Sequence, residues 1–169
     1  MELLEGLLTR RSIRKYRPGA IKQTDVDRIL EAAMHAPSAH NHQPWHFIII
    51  DERTLLMAIR AMHPYADMLK DAAMAILVCG DRSIDKNTGY LVQDCAAATQ
   101  NILLAAHGLN LGAVWIGIYP REERLTDITR LLELPEHILP VSIVSLGIAA
   151  EQKTTSGRFK RERIHSNKW

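Results

Sequence analysis

The stretch from Thr88 to His107 constrains the fold more than any other part of the chain. Leu91, Val92, Cys95, Ala96, Thr99, Ile102, Leu103 and Ala106 recur at helical spacing, the pattern of an amphipathic helix. The opposite side also carries Ala97, Ala98 and Ala105, so most of the circumference can be covered by neighbours. This predicts the central helix of the core, one that could also pack against its own copy across a dimer axis. Gly108 is placed to end it in a left-handed cap.

Three apolar runs supply strands for such a helix to cover. Trp45 to Ile50 is aromatic and β-branched, as buried strands are. Ala73 to Cys79 is apolar on both faces and reads as a central strand. Val141 to Ala149 is a third. Leu111 to Ile118 is strand-like but holds two glycines, which in a strand mark a bulge or a close approach to the backbone.

Helical periodicity predicts further helices over Met1 to Thr9, Thr24 to His35, Glu52 to Met62 and Arg121 to Leu132, with a short one over Ala66 to Ala72. Thr24 is a natural cap for the second of these, with Asp27 three residues on, and Pro37 ends it. No repeat, low-complexity tract or linker interrupts residues 1–169, which predicts one domain.

A chain of 169 residues, 47% apolar and 24% charged, can bury a core without metal or disulfide support. The net charge of +2 argues against a phosphate-rich polymer as the partner of the whole surface. Cys79 and Cys95 lie in apolar runs without CxxC spacing and read as core thiols in a reducing compartment. Met1 to Leu8 lacks the basic start of a signal peptide, and no apolar run approaches the roughly 20 residues that span a bilayer. The expectation is a soluble, cytoplasmic protein with neither nucleic acid nor membrane as partner.

Two polar stretches stand out from this framework. Pro37-Ser38-Ala39-His40-Asn41-His42-Gln43-Pro44-Trp45 is bracketed by prolines and offers hydroxyl or amide groups at Ser38, Asn41 and Gln43. It can be read as an ordinary helix-to-strand connection or as a binding loop held by the scaffold. Arg10 to Arg17 holds five arginines or lysines before Pro18-Gly19. It can be read as a solvated basic face, as a strip that docks a phosphate through forked arginine contacts, or as a nucleic-acid arm. Ile13 and Tyr16 within it point alternate residues inward.

No GxGxxG follows a strand, and GxxxxGK[ST] and GxSxG are missing, which removes the Rossmann fingerprint, the P-loop and the nucleophile elbow. His40, His42 and His46 suggest a metal, but no cysteine or acid lies near them in sequence to complete a tetrahedral set. The residues that suit a flat, phosphorylated cofactor are scattered: Arg10, Arg14 and Arg158 for phosphate, Ser38, Asn41 and Gln43 for a polyol or ring edge, and Ile116-Gly117 as backbone against a ring.

Taken in order, Arg10-Arg11-Ser12-Ile13-Arg14, the loop from Pro37 to Trp45, Ala97 to His107, Gly112 to Gly117, and Arg158-Phe159 with Ile164 to Trp169 together resemble the FMN-dependent nitroreductase family, in its short members. The resemblance implies an α+β fold with a central mixed β-sheet flanked by helices, in an intertwined homodimer with FMN at the subunit interface. It implies that Arg10, Arg11, Ser12 and Arg14 bind FMN from one subunit, with Arg158 on the phosphate. Pro37, Ser38, Ala39, Asn41 and Gln43 would reach in from the other, and Ile116 and Gly117 would lie along the flavin. Longer members carry an Asn and a Lys near the flavin edge where this chain has Tyr65 and Met68, a departure bearing on the flavin potential.

The activity so implied is reduction of nitroaromatics, quinones or similar small acceptors by NADH or NADPH. Donor and acceptor would occupy one place in turn, a ping-pong scheme in which the flavin carries the chemistry and no side chain is catalytic. Rival expectations are a flavoenzyme of the same fold with other chemistry, dehalogenation or flavin fragmentation, and a flavin-binding or redox-sensing protein without turnover.

Overall fold

The computed structural model describes residues 2–154 and 156–169. Its elements in order are α1 (Leu3–Thr9), β1 (Tyr16–Arg17), α2 (Gln23–Met34), β2 (Trp45–Ile50), α3 (Arg53–Met62), β3 (Met74–Asp81), α4 (Thr88–Gly108), β4 (Leu111–Gly117), α5 (Glu122–Leu131) and β5 (Ile138–Ala149). Short 3-10 turns cover Ala39–Asn41, Asp67–Lys70 and Arg161–Arg163. The expected helix start at Met1 lies outside the described residues.

The sheet is organised by β5, the longest strand. β3 and β4 both pair with its residues 142–146 and so occupy its opposite edges, while β1 pairs with Ile148 and Ala149 and β2 lies outside β3. Among the described residues every pairing is antiparallel, which corrects the expected mixed sheet. β3 and β4 run the same way, but β5 stands between them, so their shared direction makes no parallel ladder. The register of β3 on β5 slips between Val78 and Cys79, where Cys79 faces Pro140, a residue without an N–H to donate.

Alternation along the strands separates two cores. Met74, Ile76 and Val78 of β3 join Val144 and Leu146 of β5 under α2 and α4. Ala75, Leu77 and Cys79 join Ile143, Val114 and Ile116 under α3, α5 and the turn at Asp67–Lys70. All eight β3 residues are buried, as its two apolar faces predict. One buried hydroxyl pair sits on each side: Thr99 Oγ1 to Ser142 Oγ at 2.8 Å, and Tyr16 OH to Ser145 Oγ at 2.6 Å.

The helix ends differ in detail from the sequence expectation. α2 begins at Gln23 with no side-chain cap; Thr24 lies inside the helix, and Gln23 Nε2 donates to Asp27 instead, at 2.8 Å. α4 is capped by Asn87, whose side chain accepts from the N–H groups of Gly89 and Tyr90. Gly108 is the last residue of α4 rather than a left-handed cap beyond it, and the left-handed residue is Asn110, at φ 60°, a residue that tolerates that region. No described helix is long and apolar enough to cross a membrane.

Candidate functional site

The basic strip divides by side, as its inward-pointing residues predict. Ile13 N–H donates to Ala113 O, and the buried Tyr16 ring carries its hydroxyl to Ser145. Glu151 fixes the intervening backbone by accepting from the N–H of Arg14 at 2.6 Å and of Lys15 at 3.2 Å. The Arg14 N–H first, then Lys153 at 3.0 Å and the Lys15 N–H, hold the Glu151 carboxyl below its ordinary pKa. Ser12 is partly buried, and its carbonyl accepts from Lys153 at 3.1 Å.

Arg10, Arg11 and Arg158 form one positive cluster. Burial, then the charges of Arg158 and Arg11, push the Arg10 guanidinium below its ordinary pKa. None of the three has an ion-pair partner among the described residues, and Arg11 Nε is buried without a hydrogen-bond partner. A buried donor left unpaired costs about 1–3 kcal/mol, and three like charges without a carboxylate add repulsion. A bound anion would relieve both.

Arg14, Ile116 and Gly117 meet at a cavity of about 460 Å³, with His63, Tyr65, Asp67, Met68, Trp115 and Arg124 completing its wall. A Cβ built on Gly117 would touch nothing within 4 Å, so the strand backbone faces open space there. The Gly117 carbonyl accepts from Arg124 Nη1 at 2.8 Å and is 3.0 Å from His63 Nε2. Tyr65 N–H lies 3.1 Å from His63 Nδ1. Nδ1 must therefore accept and Nε2 carry the proton, which fixes a neutral ring. Burial lowers the His63 pKa, and the Arg124 charge lowers it further. Arg124 lies 5.7 Å from the Tyr65 ring centre.

Sequence reasoning missed His63 and Arg124. The break of the apolar pattern at His63-Pro64-Tyr65 was a signal that could have been followed; Arg124, one charge in a polar helix, offered none.

The loop from Pro37 to Gln43 is tied down by hydrogen bonds. His40, Asn41 and Gln43 have φ of 52°, 57° and 50°, left-handed values that cost side-chain-bearing residues about 1–3 kcal/mol each and cluster at binding sites. The Ala39 N–H donates to the Asp94 carboxylate at 3.1 Å, Gln43 N–H to Ser38 Oγ at 3.0 Å and Gln43 Nε2 to Asn41 Oδ1 at 2.8 Å. Among the described residues the Asn41 amide nitrogen donates to none. His42 and His46 each face a different carboxylate, Asp85 and Asp81, both at 3.3 Å.

The structure does not bring this loop to the arginine cluster within one chain. The loop is tied to α4 at Asp94, whereas Thr9, beside Arg10, bonds His107 at 2.9 Å. The offset of thirteen positions from Asp94 to His107 spans about 20 Å of helix.

The Nitroreductase family model matches residues 7–148. A Methanothermobacter thermautotrophicus protein, provisionally named NADH dehydrogenase/NAD(P)H nitroreductase, is 51% identical over 100% of this chain and 88% of its own length. An Archaeoglobus fulgidus protein with the same provisional name is 46% identical over 99% of each. Among solved structures, an FMN-dependent nitroreductase from Clostridium difficile R20291 superposes with a TM-score of 0.90 at 29% identity, covering 99% of this chain and 100% of that one. The chain belongs to the Nitroreductase family and is an oxidoreductase.

Proposed function

We propose that residues 1–169 act as one flavin-binding domain that uses NADH or NADPH to reduce nitroaromatics, quinones or similar small acceptors. The observation that carries this reading is the pairing of an unneutralised arginine cluster, Arg10, Arg11 and Arg158, with an open backbone wall at Gly117. The first suits a phosphate and the second the face of a planar ring. A Desulfovibrio desulfuricans protein 32% identical to this chain has been solved in complex with FMN, with a TM-score of 0.85.

FMN held by these residues would supply the hydride chemistry that couples nicotinamide oxidation to acceptor reduction, a ping-pong exchange. The chain's own residues bind and orient. Arg10, Arg11, Arg14 and Arg158 hold the phosphate end with Ser12, and Ile116 and Gly117 support the ring. Pro37, Ser38, Ala39, Asn41 and Gln43 come from a second copy, because their own arginine cluster lies about 20 Å away along α4. Exposed apolar groups support that homodimer: Leu3, Leu4 and Leu8 on α1, and Phe159, Ile164 and Trp169 in the tail.

The test is the visible spectrum of the purified protein, with NAD(P)H oxidation measured on adding a nitroaromatic or quinone. A yellow protein with about one FMN per chain and sustained turnover is expected. A colourless chain that cannot be reconstituted sinks the reading, and slow bleaching without turnover reassigns it to flavin binding alone. Arg14→Ala should lose flavin and reductase activity together, and stoichiometric flavin in that variant removes Arg14 from the clamp.

A further inference from the structure

Arg124 has a role that flavin binding does not absorb. It projects from α5 into the cavity beside Gly117 and also lines an adjoining cavity of about 350 Å³ with Met62, Pro64, Arg121, Glu122 and Glu123. Its guanidinium gives one bond to the Gly117 carbonyl, which leaves several of its five N–H donors free. No carboxylate pairs with it among the described residues. Asp67, the one acid on the wall, is held by Arg60 at 2.7 Å and Lys70 at 2.9 Å.

A half-buried cation without a counter-charge is poorly compensated. The walls beside it, Tyr65 and Trp115, favour a flat reactant. We propose that Arg124 is a specificity-determining residue that pairs with an anionic group, carboxylate or phosphate, carried by the planar reactant entering this cavity. The inference rests on the flavin reading above, in which Arg14 is engaged by the cofactor and Arg124 remains the cation free to meet a reactant.

Calorimetric titration of the purified protein with naphthoate and naphthamide, flat and not reducible, tests the charge preference directly. The acid should bind about tenfold tighter than the amide, as one charge-assisted contact gives. Arg124→Gln should erase the difference, and Arg124→Lys should restore part of it. Equal binding of the pair by the unaltered protein, or a difference that survives in Arg124→Gln, overturns the proposal.

Steady-state KM values then identify the source of the anion. A rise in Arg124→Gln confined to para-nitrobenzoate, with para-nitrobenzamide unmoved, places it on the acceptor. A rise shared by NADH and NADPH places it on the donor's pyrophosphate. A rise in none of them overturns the proposal. Flavin absorbance of the same samples separates the two levels: bound flavin without charge discrimination sinks Arg124 alone, whereas a chain that takes up no flavin sinks the preceding reading.

Discussion

Gly112 and Gly117 lie five residues apart on β4, and they are glycine for opposite reasons. At Gly112 a Cβ would come within 2.8 Å of Ile13 Cγ2, 3.1 Å of Tyr16 Cε1 and 3.3 Å of the Ala149 backbone. That end is filled by the inward side of the basic strip. At Gly117 the same atom would meet nothing, and the carbonyl is engaged by His63 and Arg124. One glycine makes room for the protein itself, the other for something the protein binds. Glycine in a strand therefore identifies close approach, and only the three-dimensional surroundings say by what.

Gly112→Ala should have the largest effect on folding. The added methyl must displace Ile13 or the buried Tyr16, whose hydroxyl is anchored to Ser145 and the Ile13 carbonyl. Overpacking of this kind costs about 1–3 kcal/mol, to be read by urea unfolding. Flavin affinity of the folded fraction should change little. A variant as stable as the unaltered chain would show that the Ile13–Tyr16 segment yields, and the distinction between the two ends would fail.

Gly117→Ala is the reciprocal case, with a smaller effect on folding and a larger one on the ligand. Stability should stay within about 0.5 kcal/mol, as for a substitution meeting no neighbour. Flavin affinity should fall by about tenfold or more if the ring lies against this backbone, since one methyl group in a fitted site has that weight. Fluorescence titration of the apoprotein with FMN measures it. Unchanged affinity would remove Gly117 from the flavin wall.

The same contrast explains what could be read from the sequence. The filled end was legible: Ile13 and Tyr16 alternate with charged neighbours, and the strands and helices declare themselves by period. Even so, Gly108 drew attention from Asn110, because both residues tolerate a left-handed conformation and spacing cannot choose between them. The open end was half legible. Arg14, Ile116 and Gly117 came from family-like motifs, but His63 arrives from the end of α3 and Arg124 from α5, joined only by sharing one carbonyl. The loop at Ser38 to Gln43 was conspicuous by composition, yet its separation from Arg10 depends on which turns of α4 each touches. No local pattern encodes that.

The smallest effect expected is a pH dependence at the open end that the filled end lacks. At the filled end Tyr16, pushed up to about 12 chiefly by burial, stays neutral through the ordinary range. At the open end burial, then Arg124, holds His63 below its ordinary value of 6.5. Above that value the ring is neutral in both the folded and unfolded chain, and its contribution to stability is fully present. As pH falls below it the unfolded chain takes up the proton first, so stability declines until the lowered folded pKa is reached, then levels. Protonation would also place a hydrogen on Nδ1, against the Tyr65 N–H that bonds it. Melting temperatures of the unaltered chain and of His63→Gln, compared from about pH 8 to about pH 5, isolate this ring from the other histidines. The gap between the two curves should change as pH falls, with the unaltered chain losing more. Parallel curves would mean that His63 titrates alike in both states, and that the polar contacts around Gly117 do not hold it neutral.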